Sequence, residues 1–243
     1  MRTIVVPGPG PDDERRAYLA VPVPTSTDPG PWPGVVVAHE GPGPTVDMQE
    51  QCDWFAAAGY LTLMPDLYHG RSMIRCLKGA IRQMVAQRGP AFEQLESARA
   101  YLASRADCTG AVGVAGYCLG GGFAILLAGR GGFGAAAVNY GQLPENLDEV
   151  LDGACPVVAS FGGRDRILAG SAARLTAALT TAEVPHDVRE YPAARHAFFS
   201  RYVAPSPVTT IAKVFGVGYH HDSAADAKRR ILAFFDEHLR APA

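Results

Sequence analysis

The sequence predicts a single α/β domain over residues 1–243, with helices on both faces of a mostly parallel sheet. The first observation is that short β-rich runs alternate with helical stretches, as in strand–helix–strand units. The second is that the run at residues 34–38 is apolar throughout, as strands buried on both faces tend to be. The third is that 243 residues, 48% of them hydrophobic, can bury one large core.

The predicted elements follow one another through short connections, without an internal repeat or a linker. Strands are predicted at residues 2–6, 17–23, 34–38, 60–64, 111–115, 135–140, 157–161 and 187–191. Helices are predicted at residues 49–58, 73–88, 91–104, 119–128, 170–182 and 226–239. Residues 200–222 contain Pro205 and Pro207 and show little periodicity, so we expect a long loop there, which in a compact domain is usually functional or mobile.

Composition and charge argue against several classes of function. The chain has 22 Lys and Arg against 24 Asp and Glu, a net charge of −2, so we expect no nucleic-acid partner. Residues 109–129 are uncharged and long enough to cross a bilayer, but their seven glycines favour a strand, a turn and a buried helix. We therefore expect no association with a membrane.

The cysteines and the first residues of the chain bear on the cellular compartment. The five cysteines are odd in number, widely scattered and without a C-x-x-C pair, so neither a disulfide framework nor a zinc site is indicated. The apolar run at residues 3–6 is too short for the core of a signal peptide. We therefore expect reduced thiols and a cytoplasmic location.

The most informative motif is Gly116-Tyr117-Cys118-Leu119-Gly120, which lies between a predicted strand and a predicted helix. A nucleophile between two such glycines is the elbow of the α/β-hydrolase fold, here with Cys in place of Ser. The turn is so tight that side chains at the glycine positions would collide with the neighbouring strand and helix. The helix N-terminus also helps to stabilise a thiolate. The alternatives are a small buried cysteine or a dinucleotide-binding loop, although the latter needs G-x-G-x-x-G spacing.

An elbow of this kind predicts an acid and then a histidine further along the chain. Asp165 follows the predicted strand at residues 157–161, and His196 follows the one at residues 187–191. Both therefore arrive at the sheet edge that carries Cys118. We expect His196 to take the thiol proton and Asp165 to hold the imidazole in its tautomer and orientation. The alternatives are an ordinary turn aspartate and a loop histidine.

Two further segments, each at the end of a predicted strand, make the motif set more specific. They are His39-Glu40-Gly41-Pro42-Gly43 and Pro65-Asp66-Leu67-Tyr68. With the elbow and the loops of Asp165 and His196, they resemble the dienelactone hydrolase (carboxymethylenebutenolidase) family over nearly the whole chain. The resemblance implies that Glu40 contacts the resting thiol and takes part in its activation, the alternative being a solvated loop glutamate. The backbone N–H groups of Leu119 and Gly41 are the expected oxyanion hole.

The residues that bind substrate are harder to assign. Family members that open dienelactone hold its carboxylate with one arginine before the elbow and one shortly after the histidine. Arg75 and Arg201 are the candidates here, with Tyr68 beside them, although Arg71 and Arg82 are also upstream and a surface arginine is the common case. The adjacent pair His220-His221 has no carboxylate cluster around it, so we expect no metal.

The resemblance and the motifs together imply a cysteine-dependent hydrolase of a small-molecule ester or lactone, of the type that opens dienelactone to maleylacetate. No cofactor is expected. One alternative is a carboxylesterase of broader specificity on the same three residues. Another is a non-catalytic binding protein with Cys118 as a redox-sensitive thiol. Either a monomer or a dimer is compatible with the sequence.

Overall fold

The computed structural model describes residues 2–7, 14–68, 73–201 and 218–240, and it confirms the predicted α/β fold. Eight strands form one sheet in the order β1-β2-β4-β3-β5-β6-β7-β8, parallel from β4 to β8 and antiparallel at β1 and β2. The strands are β1 (Arg2–Pro7), β2 (Glu14–Ala20), β3 (Trp32–Ala38), β4 (Leu61–Pro65), β5 (Cys108–Tyr117), β6 (Ala136–Asn139), β7 (Val157–Gly162) and β8 (His186–Tyr191).

Seven helices connect or follow these strands in the described residues. They are α1 (Val46–Ala57), α2 (Met73–Ala86), α3 (Pro90–Ala103), α4 (Leu119–Ala128), α5 (Leu147–Leu151), α6 (Ser171–Thr181) and α7 (His221–Leu239). Local chemistry fixes several of their starts. The Thr45 side chain accepts a hydrogen bond from the Met48 N–H at the start of α1, and α3 begins with Pro90, whose missing N–H costs nothing there.

The two faces of the sheet carry different helices. On β5, a Cβ atom built at Gly113 would meet Phe235 of α7, whereas one built at Gly116 would meet Ala124 of α4. Residues separated by an odd number of positions on a strand point to opposite faces, so α7 and α4 lie on opposite sides of β5.

Aromatic contacts place further helices on these two faces. Phe55 of α1 stacks on Phe235 of α7 with ring centroids 5.9 Å apart. Phe92 of α3 packs edge-on against Phe123 of α4 at 4.9 Å, and α5 contacts both α4 and α6. Helices α1 and α7 therefore cover one face, and α3 and α4 cover the other, which confirms the prediction that helices lie on both faces of the sheet.

The structure corrects some of the predicted boundaries. The last helix begins at His221 and not near residue 226, because the His220 side chain accepts a hydrogen bond from the Ser223 N–H and caps it. The expected loop at residues 200–222 therefore ends earlier, and residues 202–217, including Pro205 and Pro207, lie outside the described part. Strand β2 ends at Ala20 rather than at residue 23, and the five-residue helix α5 was not predicted.

The parallel strands bring their carboxyl ends to one edge of the sheet. Ala38 at the end of β3 pairs with Gly116 near the end of β5, and Gly162 at the end of β7 pairs with Tyr191 at the end of β8. The loops that follow these strands therefore meet above the same edge, where open α/β sheets bind their ligands.

Candidate active site

Cys118 occupies a sharp turn between β5 and α4. Its backbone has φ 52° and ψ −113°, an uncommon conformation for any residue with a side chain, and its N–H donates to the Asn139 carbonyl at 3.0 Å. A Cβ atom at Gly116 would lie 2.0 Å from the Gly120 oxygen, and one at Gly120 would lie 2.0 Å from the Ala38 oxygen. Both glycines are therefore required for the turn that presents the Cys118 thiol.

Three side chains at this edge form a continuous hydrogen-bonded chain. The Nε2 atom of His196 lies 3.1 Å from the Cys118 sulfur, and its Nδ1 atom lies 2.6 Å from Oδ2 of Asp165. Because the carboxylate is an acceptor, Nδ1 carries the proton, which leaves Nε2 to exchange a proton with the thiol. The other oxygen of Asp165 accepts from the Ile167 N–H at 3.0 Å, and the Asp165 side chain is only 1% exposed.

The environment of His196 favours its protonated form. Burial on its own lowers the pKa of His196, but the hydrogen bonds to Asp165 and Cys118, together with the charges of those two groups, raise that pKa to about 10. The next residue, Ala197, has φ 54°, so the chain turns sharply after the histidine. The imidazole is thus placed to receive a proton from Cys118.

Glu40 lies at the same edge and is 1% exposed. Its Oε1 atom accepts hydrogen bonds from the Ser200 hydroxyl at 2.7 Å and from the Tyr140 hydroxyl at 2.9 Å. The Tyr140 ring packs edge-on against the His196 ring, with centroids 5.3 Å apart. The motifs of the sequence pointed to Glu40 but not to Tyr140 or Ser200. Tyr140 directly follows β6, so its place at the end of a parallel strand was a signal that could have found it.

The loop after β3 is fixed by a buried histidine and a tyrosine. His39 Nδ1 donates to the Glu40 carbonyl at 2.8 Å, and Nε2 accepts from the Leu67 N–H at 3.2 Å. Burial lowers the pKa of His39, in keeping with this neutral tautomer. Tyr68 packs edge-on against His39 and donates its hydroxyl proton to the Gly41 carbonyl at 2.7 Å. The peptide groups on both sides of Gly41 are therefore held in place.

The two backbone groups predicted for an oxyanion hole lie on either side of the elbow. Leu119 is the first residue of α4, where geometry leaves backbone N–H groups without an intrahelical acceptor. Gly41 belongs to the loop after β3. The last residue of that strand, Ala38, contacts Gly120 in the first turn of α4. The N–H groups of Leu119 and Gly41 therefore belong to two neighbouring segments, as the two donors of an oxyanion hole must.

Of the two candidate substrate-binding arginines, Arg201 has a described side chain and Arg75 does not. Arg201 is exposed, with its guanidinium 4.9 Å from the centroid of the Tyr219 ring and its backbone N–H donating to Asp47 at 3.0 Å. The backbone at Arg75 belongs to α2, but its side chain lies outside the described part. Tyr68, by contrast, is buried against His39 at the site.

The histidine pair at the start of α7 has local partners. His220 caps the helix, and the Nδ1 atom of His221 lies 3.0 Å from the Asp222 carboxylate. Among residues 2–7, 14–68, 73–201 and 218–240, no group of three or more His, Cys, Asp or Glu could hold a metal ion. Within the same ranges, no helix is long and apolar enough to cross a membrane.

The strand order and the likeness to a solved α/β-hydrolase define the α/β-hydrolase fold, and the family match shows that the chain is a hydrolase. A model of the dienelactone hydrolase family matches residues 16–239, and the chain belongs to that family. The carboxymethylenebutenolidases of Pseudomonas putida and Pseudomonas knackmussii are each 29% identical over 212 residues, which cover 83% of this chain and 84% of each relative.

Solved structures share the fold. A dienelactone hydrolase from Anabaena variabilis is 19% identical, with a TM-score of 0.68 and 98% coverage of both chains. A dienelactone hydrolase-like promiscuous phosphotriesterase from metagenomic libraries is also 19% identical, with a TM-score of 0.79 and the same coverage. At 19% identity, these similarities show a shared fold and nothing about the substrate.

Proposed function

We propose that this enzyme hydrolyses a small lactone or another activated ester, with Cys118 as nucleophile, His196 as general base and acid, and Asp165 as the group that orients the imidazole. The observation that carries the proposal is the chain of two short contacts, 3.1 Å from sulfur to Nε2 and 2.6 Å from Nδ1 to carboxylate. Nucleophile, base and orienting acid at hydrogen-bond distance form the arrangement on which acyl transfer depends.

The first half of the proposed reaction opens the ester bond. The thiol proton lies on His196 when the Cys118 sulfur attacks the carbonyl carbon, and a tetrahedral oxyanion forms. The N–H groups of Leu119 and Gly41 hydrogen-bond to that oxygen. The bond from carbon to the leaving oxygen then breaks, the leaving oxygen takes the proton from His196, and a thioester to Cys118 remains.

The second half returns the enzyme to its starting state. His196 removes a proton from a water molecule as the water oxygen attacks the thioester carbonyl. The tetrahedral intermediate collapses with cleavage of the bond to sulfur, and Cys118 recovers its proton from His196. The product is a carboxylic acid, and no cofactor enters the balance.

The leaving group sets the proposed substrate class. A thiolate is itself a good leaving group, so the tetrahedral intermediate goes forward only when the ester oxygen leaves at least as readily. The enolate of an enol lactone meets that condition, whereas a simple alkoxide does not. The relatives named carboxymethylenebutenolidase favour an enol lactone as the substrate of this chain. The reaction proposed is the opening of dienelactone to maleylacetate.

Initial rates of dienelactone ring opening, followed by ultraviolet absorbance, test the proposal. We expect rapid opening by the wild-type enzyme and a loss of at least about a thousandfold in Cys118→Ala. Cys155→Ala is the matched control, since Cys155 lies at the opposite end of α4, where its N–H donates to Ala128. This control variant is expected to match the wild type.

Other outcomes point to the alternatives. Turnover of p-nitrophenyl acetate without turnover of dienelactone would replace the substrate by that of a broader carboxylesterase. Full activity in Cys118→Ala would reject Cys118 as nucleophile. No turnover of any ester, together with selective oxidation of Cys118, would favour a redox-sensitive binding protein.

A further inference from the structure

The loop after β3 contains a histidine that is fully buried and bonded through both ring nitrogens. We call residues 39–43 the oxyanion loop, since they include Gly41. His39 Nε2 lies 3.2 Å from the Leu67 N–H, which can only donate, and Nδ1 lies 2.8 Å from the Glu40 carbonyl, which can only accept. These two partners therefore fix one neutral tautomer, with the proton on Nδ1.

The Glu40 carbonyl receives a second hydrogen bond within the oxyanion loop. The Gly43 N–H donates to the same oxygen at 2.9 Å, so this acceptor is satisfied even without the histidine. Because a peptide group is planar and trans, its C=O and N–H point in opposite directions. Two donors that fix the direction of the Glu40 carbonyl therefore also fix the direction of the Gly41 N–H, one of the two expected oxyanion donors.

A buried tyrosine holds the next peptide group of the oxyanion loop. The Tyr68 hydroxyl donates to the Gly41 carbonyl at 2.7 Å, and its ring packs edge-on against the His39 ring with centroids 4.9 Å apart. A Cβ atom built at Gly43 would lie 3.3 Å from the same ring. The peptide groups before and after Gly41 are thus each bonded to a buried side chain.

The oxyanion loop also contacts the elbow. A Cβ atom built at Gly120, in the first turn of α4, would lie 2.8 Å from the His39 carbonyl oxygen. The main chain of His39 therefore packs against the helix that follows Cys118, while its side chain reaches the loop after β4. A displacement of this histidine would change the position of Gly41 relative to the elbow.

We propose that His39 is a positioning residue of the oxyanion hole and that Tyr68 assists it, so that the Gly41 N–H is aimed at the oxygen that becomes negative when Cys118 attacks. This inference rests on the proposed function of Cys118. The hydrogen bond from Nδ1 also polarises the peptide group between Glu40 and Gly41, which makes its N–H a stronger donor. The contribution is made in the transition state, so it changes kcat rather than KM.

Two substitutions of His39 separate catalysis from packing. His39→Leu removes both hydrogen bonds, whereas the amide in His39→Asn places an N–H donor near the position of Nδ1. Neither variant places an acceptor near the position of Nε2, so both are expected to lose similar stability. Tyr68→Phe removes the hydrogen bond to Gly41. Thr62→Val is the matched control, because Thr62 is buried near the start of β4, where its hydroxyl donates to the Tyr60 carbonyl at 3.0 Å.

Two reactions of Cys118 are compared in each variant. Hydrolysis of p-nitrophenyl acetate passes through an oxyanion and gives kcat and KM. Methyl methanethiosulfonate offers no carbonyl: the Cys118 thiolate attacks the sulfur that carries the methylthio group, the S–S bond breaks, methanesulfinate leaves with that electron pair, and a mixed disulfide remains. The rate of this second reaction, measured by mass spectrometry on the peptide that carries Cys118, reports the thiolate independently of the oxyanion hole.

We expect His39→Leu to lower kcat for p-nitrophenyl acetate by about tenfold or more with KM within about threefold of wild type, because loss of a whole oxyanion donor costs about a hundredfold to a thousandfold. Tyr68→Phe is expected to lower kcat by about threefold to tenfold. His39→Asn and Thr62→Val are expected to keep kcat within about threefold of wild type. The methanethiosulfonate rate is expected to change by less than about twofold in all four variants.

The inference would be overturned by a wild-type kcat in His39→Leu, by equal losses in the two reactions, or by a loss in His39→Asn as large as in His39→Leu. Thermal unfolding identifies a variant that has lost the fold. If His39→Leu does so, Tyr68→Phe decides by the same two reactions, and a wild-type kcat or a change in KM alone would then reject the inference. Failure of the proposed function is a different result, since hydrolysis would then be unchanged in Cys118→Ala.

Discussion

Asp165 and His196 stand 2.6 Å apart, each on the loop that follows a different strand, with the Asp165 carboxylate almost entirely shielded from water. Besides its contact with His196, the Asp165 carboxylate accepts one hydrogen bond in the described contacts, from the Ile167 N–H. Its negative charge and its acceptor oxygen therefore act chiefly on one ring nitrogen, which fixes the tautomer of the imidazole.

We expect Asp165→Asn to lower kcat by about a thousandfold, because an amide can donate to Nδ1 and so favour the wrong tautomer. Rates of p-nitrophenyl acetate hydrolysis measure the effect, and circular dichroism checks that the fold is retained. The exposed Asp152, changed to Asn, is the control and is expected to behave as wild type. An active Asp165→Asn enzyme would show that the carboxylate does not orient the histidine.

The raised pKa of His196 predicts how stability depends on pH. The ordinary value of 6.5 applies to the unfolded chain, and the value in the folded protein is about 10. The bound proton therefore contributes stability that is complete below pH 6.5 and is lost as the pH rises through about 10. Urea unfolding of wild type and His196→Gln between pH 6 and pH 10.5 measures this contribution.

The difference in unfolding free energy between these two proteins is expected to be largest at pH 6 and to narrow toward pH 10.5. His186→Gln, at the start of β8, controls for loss of an imidazole outside the site. A constant difference across the range would mean that His196 does not retain its proton in the folded protein.

Replacement of glycine by alanine is expected to change stability in opposite directions at Gly120, which lies in the elbow, and at Gly79, which lies in α2. Gly120→Ala would place a Cβ atom 2.0 Å from the Ala38 oxygen, so we expect a loss of at least about 3 kcal/mol or failure to fold. Gly79→Ala, within α2, meets nothing within 4 Å and is expected to add about 0.5–1 kcal/mol. Chemical denaturation compares the two, and equal stabilities would contradict the close packing of the elbow.

Arg201 is proposed to contribute weakly to binding of an anionic substrate. Its guanidinium is exposed and rests on Tyr219, and ion pairs that remain exposed to water and salt contribute little. We expect Arg201→Ala to raise the KM for dienelactone by up to about fivefold and to leave that for the neutral p-nitrophenyl acetate unchanged. Equal changes for both substrates would indicate an effect on the fold rather than on the substrate carboxylate.

The sequence predicted the elements and residues that depend on local patterns. The elbow motif and the order of acid and histidine pointed to Cys118, Asp165 and His196, because tight turns and strand ends leave recognisable glycines and positions. It missed Tyr140 and Ser200, whose bonds to Glu40 span 100 and 160 residues. A contact between residues so distant has no local pattern in a single sequence, and the one sequence signal was the position of Tyr140 directly after β6.

Two elements were misjudged for local reasons. Helix α5 has five residues, fewer than two turns, so hydrophobic periodicity cannot reveal it. Helix α7 begins five residues earlier than predicted because a histidine caps it, and histidine is not among the side chains that usually mark a helix start.

The turn at the elbow is held by the backbone, independently of the atom that acts as nucleophile. The backbone at residue 118 is held by flanking glycines and by the Asn139 carbonyl, and the sulfur takes no part in that turn. The chain can therefore exchange one nucleophilic atom for another without rebuilding its architecture. Cys118→Ser isolates the chemistry of sulfur from the geometry that presents it, and the difference in rate between the two enzymes measures what the thiol itself contributes.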